Sequence, residues 1–200
     1  MQRDASTCWA FSAVGAVEGT YNVEQRTRNA NIDLSEQNLV SDCCPAGTCS
    51  GGWPSMALYH IELCGIVDEV CFPYQAQDSP CDECQDWENR LWKIQTFEKV
   101  PNSIEEIKNA LISHGPLSVT SMNWRHAIVL VAYDDDCSVC RSKYGEDGCW
   151  IIRNSWGLRT GWSWPYEVWH ENGYAYIPYS GHEYSDIRNS VYYVEGVISP

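Results

Sequence analysis

The stretch Gln2-Arg3-Asp4-Ala5-Ser6-Thr7-Cys8-Trp9-Ala10-Phe11-Ser12 sets a cysteine directly behind two residues that can cap a helix. Ser6 or Thr7 can supply the cap, and the apolar residues Trp9, Phe11, Val14, Val17 and Tyr21 follow at helical spacing. Cys8 is thereby predicted at the start of a helix, where free backbone N–H groups and the positive dipole end stabilise an anion. A thiol in that position is expected to ionise readily and to act as a nucleophile. The plainer reading is a half-cystine. The chain has 11 cysteines, and an odd number leaves at least one unpaired.

The rest of the composition narrows the field. Of 200 residues, 44% are apolar and 20% charged, a globular balance with enough chain for a real core. A net charge of −14 with 13 basic side chains argues against nucleic acid and against an anionic membrane surface as partner. The longest apolar run, Ala127 to Tyr133, is too short to span a bilayer. So many cysteines predict a disulfide-bearing, extracellular protein whose secretion signal lies outside this chain. The absence of an Asn-X-Ser/Thr sequon leans towards a prokaryotic source.

The pattern changes character once. Up to about residue 90 it is helical or loop-like: Ser35 caps a short helix through Leu39 and Val40, Pro54 opens a third helix, and Gly65 ends it. Residues 66–90 read as a cysteine-rich loop. Ser103 with Glu106 forms a capping box, and Gly115-Pro116 stops that helix. Then come Leu117–Met122, Ala127–Tyr133, Cys149–Arg153 and Tyr174–Tyr179, short strand candidates between turns. An α+β unit follows, with a helix-rich lobe (1–92), a sheet-rich lobe (93–200) and a cleft between them.

A thiolate nucleophile needs an adjacent base. Of the five histidines, His60 and His114 lie in or at the end of helices, and His170 and His182 lie in polar, turn-like stretches. His126 alone opens a strand. If Ala127–Tyr133 pairs with Cys149–Asn154 across the polar loop 134–147, Tyr133 faces about Gly148. Position 126 then falls opposite 155, within a residue of Asn154. An Asn beside an imidazole fixes its tautomer and orientation.

At this point the chain resembles the papain-like cysteine peptidases. Four further marks occur in the same order: Leu34-Ser35-Glu36-Gln37-Asn38-Leu39-Val40, Cys49-Ser50-Gly51-Gly52-Trp53-Pro54, His126-Ala127, and Arg153-Asn154-Ser155-Trp156-Gly157. Gly65 to Tyr74 looks more like prokaryotic members than plant ones. The resemblance implies a papain-like two-lobed fold and peptide-bond hydrolysis through a thioester acyl-enzyme, with no cofactor and no metal. In it Cys8 is the nucleophile, His126 the general acid/base, and Asn154 the orienting residue under the shield of Trp156. Gln2 would share the oxyanion with the Cys8 N–H, two donors worth ~3 kcal/mol each in comparable sites. Gly51 and Gly52 would admit a substrate strand, and Trp53, Pro54 and Ala127 would line a pocket for the side chain two positions upstream of the cut. A monomer made with a pro-segment, acting on protein or peptide substrates as an endopeptidase, completes the expectation.

The sequence also departs from the family. Ala5 stands where a cysteine is usual, so its partner, equivalent to Cys49, needs another mate, and Cys44 is a candidate. Cys43 would then reach Cys71, Cys81 or Cys84. Only seven residues separate Ser118 from His126, where the family has more than twenty. Arg125 should point outward, because a guanidinium beside His126 disfavours the imidazolium. Cys81-X-X-Cys84, and Cys137-X-X-Cys140 with Cys149, could suggest zinc or a redox dithiol, but disulfides across a hairpin are the simpler reading. Asp134-Asp135-Asp136 lacks the ligand spacing of a calcium loop. The rivals are a peptide-binding homologue without turnover, a thiol-disulfide oxidoreductase and a transglutaminase-type acyl transferase.

Overall fold

The computed structural model describes residues 2, 5–122, 124–158, 161–163, 168–181, 187–188 and 190–200. His182 and part of the aromatic stretch after residue 158 lie outside them.

Helix α1 (Cys8–Glu24) begins at Cys8, with Thr7 in the N-cap position. The Thr7 hydroxyl does not cap. It pairs with the Tyr74 hydroxyl at 2.6 Å, because the 66–90 loop folds back over the helix start. The helix is buried well beyond a single stripe, through Trp9, Ala10, Ala13, Val14, Ala16, Val17 and Thr20. Small residues let it run through the middle of the molecule, packed on the large sheet. Ser12 donates to the Ile128 carbonyl at 2.7 Å and accepts from the Ser118 hydroxyl at 2.8 Å, a buried link between helix and sheet.

Helix α2 (Glu36–Val40) is capped by Ser35, whose oxygen accepts from the Asn38 N–H. Helix α3 (Pro54–Leu63) has Pro54 in its first turn and ends before Gly65, as the sequence predicts. A two-stranded ribbon, β1 (Gly47–Thr48) with β2 (Gly51–Gly52), lies between them. Residues 66–90 form a loop with one 3-10 turn, Trp87–Asn89, stapled by the Cys43–Cys81 and Cys71–Cys84 disulfides. Cys43 thus reaches that loop. Cys44 and Cys49 are both free, so the bridge considered between them is absent.

The main sheet contains β3 (Lys93–Lys99), β4 (Leu117–Ser121), β5 (His126–Asp134), β6 (Cys149–Arg153), β7 (Gly161–Ser163), β8 (Val168–Glu171), β9 (Tyr174–Pro178) and β10 (Val191–Ile198). Its order is β3-β10-β4-β5-β6-β9-β8-β7, and every pairing is antiparallel. Helix α4 (Ile104–His114) is capped by Ser103. The polar loop after β5 contains a further helix, α5 (Ser138–Tyr144), tied down by the Cys137–Cys149 disulfide across the hairpin. This is an α+β architecture. One hydrophobic cluster gathers around Trp9, Leu34, Leu58 and Ile61, and a second around Ile107, Leu117, Leu130 and Trp150.

The β5–β6 register differs from the predicted one. Tyr133 pairs with Trp150 and not with Gly148, and a bulge between Leu130 and Ala132 shifts the pairing so that Val129 faces Arg153. The missing segment between Ser118 and His126 is replaced by a tight turn, because Ser121 pairs directly with His126. His170, expected in a turn, lies buried on β8.

Candidate active site

Three elements converge on one cleft of about 470 Å³. Cys8 enters from the start of α1, His126 and Ala127 from the start of β5, and Gly51, Gly52, Trp53 and Pro54 from the ribbon and the head of α3. The ribbon is held in place by the Ser6 N–H, which donates to the Cys49 carbonyl at 2.8 Å. Gly51 has φ +137°, a conformation that L side chains rarely adopt, and nothing lies near the place its side chain would occupy. Gly52 serves packing: a Cβ there would stand 2.6 Å from the Trp9 ring.

His126 and Asn154 are both buried, and His126 Nε2 lies 2.9 Å from Asn154 Oδ1. The Ser155 N–H also donates to that Oδ1, at 2.8 Å, which sets the amide the right way round. Nε2 must therefore carry the proton it donates, leaving Nδ1 as the basic nitrogen. Trp156 packs on the imidazole with ring centroids 4.6 Å apart, and Trp124 stands 6.5 Å away on the other approach. Trp156 thus meets the site through His126.

Gln2 is anchored three ways. Its backbone N–H donates to the Ser155 carbonyl at 3.0 Å, its Oε1 accepts from the Ser155 hydroxyl at 2.6 Å, and its Nε2 donates to the Ala5 carbonyl at 2.6 Å. One amide N–H is therefore spent on Ala5, and the second is the one an oxyanion would use. Arg3 and Asp4 of the same segment lie outside the described residues.

The electrostatics correct the sequence expectation for Cys8. Burial pushes its thiol up, against the N–H groups of Ala127, Trp9 and Cys8 itself, which pull it down. Burial likewise pushes His126 down, with the Asn154 contact opposing. Each group alone favours its neutral form, so a thiolate–imidazolium pair has to draw on the attraction between the two charges. Arg125 is exposed at φ +50° and lines the mouth of the cleft. Thr120 and Met122 form the wall beside it.

Ser155 and Trp124 are site residues that sequence reasoning passed over. Their sequence distance from Asn154 and His126, one and two residues, is the signal that could have found them. Behind the triad lies a second cavity of about 380 Å³, lined by Glu18, Glu36, Arg153 and Asn154 among others. Burial pushes the Glu18 carboxyl up to about 7 and the Glu36 carboxyl up to about 8, with neighbouring Glu18 raising Glu36 further. The sulfurs of Cys137, Cys140 and Cys149 lie within 4.8 Å of one another, but two of them are joined as a disulfide. No helix among the described residues is long and apolar enough to cross a membrane.

The chain is 36% identical over 186 residues to Probable cysteine protease RDL2 of Arabidopsis thaliana, covering 80% of this chain and 48% of that protein. It is 36% identical over 179 residues to Cathepsin S of Bos taurus, covering 80% of this chain and 52% of that one. The chain thus spans about half the length of these curated relatives. Its fold is similar to digestive procathepsin L2 proteinase from Tenebrio molitor larval midgut, with a TM-score of 0.77, 20% identity, and coverage of 98% of this chain and 64% of that one. The family described as papain family cysteine protease matches residues 1–195, and the chain belongs to it.

Proposed function

We propose that this chain is the catalytic unit of a cysteine endopeptidase that hydrolyses protein or peptide substrates. The observation that carries the reading is the sharing of one cleft by Cys8 at the start of α1 and by His126, held through Nε2 by Asn154 at 2.9 Å. In this mechanism His126 Nδ1 takes the Cys8 proton and the sulfur attacks the scissile carbonyl. The Cys8 N–H and the second amide N–H of Gln2 receive the oxyanion. The imidazolium then protonates the leaving amine, and a water activated by the neutral ring releases the thioester. Gly51 and Gly52 offer backbone to the substrate strand. Trp53, Pro54 and Ala127 take the side chain two positions upstream, and Trp156 keeps water from the His126–Asn154 contact.

Residues 1–92 and 93–200 act as two lobes of one unit. The two hydrophobic clusters support this, and Ile94 and Val194 of the sheet join the helical one. The protein works as a monomer in an extracellular compartment, which three disulfides among the described residues favour. It is made with a pro-segment, as the name procathepsin states for the Tenebrio molitor relative. The test is covalent labelling with a peptidyl epoxide followed by peptide mapping. The label is expected on Cys8 alone, and Cys8→Ala should abolish both labelling and cleavage. Peptide cleavage that survives Cys8→Ala would overturn the reading.

A further inference from the structure

Helix α3 presents apolar residues on two sides. Ala57, Leu58 and Ile61 point into the core. Met56, Tyr59 and Leu63 are 45%, 50% and 55% exposed, and Trp53, immediately before the helix, is 52% exposed. The steps 53→56→59→63 keep these four on one side of the helix. The half-buried His60 lies among them on the same side. An exposed, mainly apolar strip in water marks a binding surface, where scattered single residues would not. At ~1.5 Å per residue the strip is ~15 Å long. Its head is Trp53, which also lines the cleft with Cys8 and His126.

We propose that the outer face of α3 is an exosite for an apolar polypeptide segment upstream of the scissile bond. This rests on the peptidase reading, which places upstream residues along Gly51–Pro54. Continuity argues for that occupant: a chain leaving the cleft past Trp53 meets Met56 next, then Tyr59, then Leu63. Length agrees, since an extended chain rises ~3.3 Å per residue and covers ~15 Å with four or five residues. The contacts are side-chain burial without directional bonds, so the exosite selects apolar character over an exact sequence.

The experiment uses the whole chain carrying Cys8→Ser, which cannot turn over. Two fluorescent peptides are titrated by anisotropy: one filling the cleft alone, the other extended upstream by five apolar residues. The extended peptide is expected to bind ~10-fold more tightly. That gain should vanish in the Met56→Ser, Tyr59→Ser, Leu63→Ser triple variant. The short peptide's unchanged affinity then reports intact folding, and Ile112→Ser, removing an apolar side chain 67% exposed on α4, should leave both affinities alone. Equal affinity for the two peptides, or a gain that survives the triple variant, would overturn the exosite. Loss of self-association in the triple variant with peptide affinity unchanged would assign the strip to a second copy of the chain and overturn it too. Absence of Cys8-dependent cleavage by the unaltered chain is a separate result that sinks the peptidase reading.

Discussion

Asn154 Oδ1 accepts from His126 Nε2 across the end of two neighbouring strands, the first residue of β5 meeting the residue just past β6. The contact leaves Nδ1 as the ring nitrogen that serves the thiol.

Asn154→Ala should therefore lower turnover by ~10-fold or more while KM changes little, because the residue orients the base and does not touch substrate. Steady-state kinetics on a peptide substrate measure both constants. Full turnover in the variant would mean that packing by Trp156 alone holds the ring.

The pH profile of kcat/KM should be a broad bell. The working pair holds one proton. Burial lowers His126, so the acid limb, where the first proton leaves, falls below the ordinary imidazole value of ~6.5. Burial raises Cys8, so the alkaline limb, where the second leaves, falls above the ordinary thiol value of ~8.5. An acid limb above pH 7 would contradict the sign for His126, and an alkaline limb below pH 8 the sign for Cys8.

Stability should fall as pH rises from about 4.5 towards 8. Glu18 and Glu36 keep protons in the fold, at about 7 and about 8, that the unfolded chain releases near the ordinary carboxyl value of 4.5. The folded state binds more protons across that window, so raising the pH favours unfolding. Asp68, held low by Arg90, acts oppositely, but its window lies below the ordinary value of 3.8. His126 and His60, both pushed down by burial, also act oppositely below the ordinary value of 6.5, so the fall is steepest above it. The melting temperature should drop by ~5 °C or more between pH 5 and pH 8. Glu18→Gln with Glu36→Gln should flatten the slope, since the amide oxygen introduced at position 18 can still accept the Leu34 N–H.

Brief alkylation should separate the five free thiols. Cys64 is exposed and Cys8 shares its cleft with the base His126, so both should react with iodoacetamide. Cys44 and Cys140 are buried and pushed up to about 11 and about 12, and both should resist. Cys49 is raised by partial burial and by Asp78 beside it, and should react slowly. Mass spectrometry of the digested chain reads all five, and rapid labelling of Cys140 would show that α5 opens in solution.

The β4–β5 connection is short, where the family resemblance leads one to expect a longer segment on that side of the cleft. Among the described residues, Thr120, Met122 and Arg125 line the cleft there. Discrimination among residues downstream of the cut should be weak, within ~10-fold across side chains in a peptide library. A sharp downstream preference combined with none two positions upstream would reverse the assignment of the pockets.

The elements that carry the proposed site were legible because they rest on strong local signals. Pro54 at a helix head, the Gly115-Pro116 stop and the branched and aromatic run in Cys149–Arg153 each specify their element locally, whereas the cap expected before Cys8 does not form. What escaped was set by partners distant in sequence. β3 has only Ile94 fully buried and reads as polar until β10 pairs with it. α5 buries Cys140 alone and persists under the Cys137–Cys149 staple, so no periodicity announces it. The bulge at Leu130/Ala132 moved the register, yet Asn154 still reached His126, because it stands just past the strand end, where the backbone is free to turn.

The slot that β10 occupies, between β3 and β4, has a consequence for the order of assembly. Until Val191–Ile198 are in place, β3 has no neighbour and β4 has an open side, so the sheet exists as two unjoined pieces. α1 packs on both β5 and β10. The helix that presents Cys8 already meets the strand that presents His126 through the Ser12 bonds to Ser118 and Ile128, and β10, synthesised after both, closes the sheet around them. Such distant pairings close slowly. In a growing chain the sheet that carries His126 is therefore completed only when Val191–Ile198 emerge and join β3 to β4.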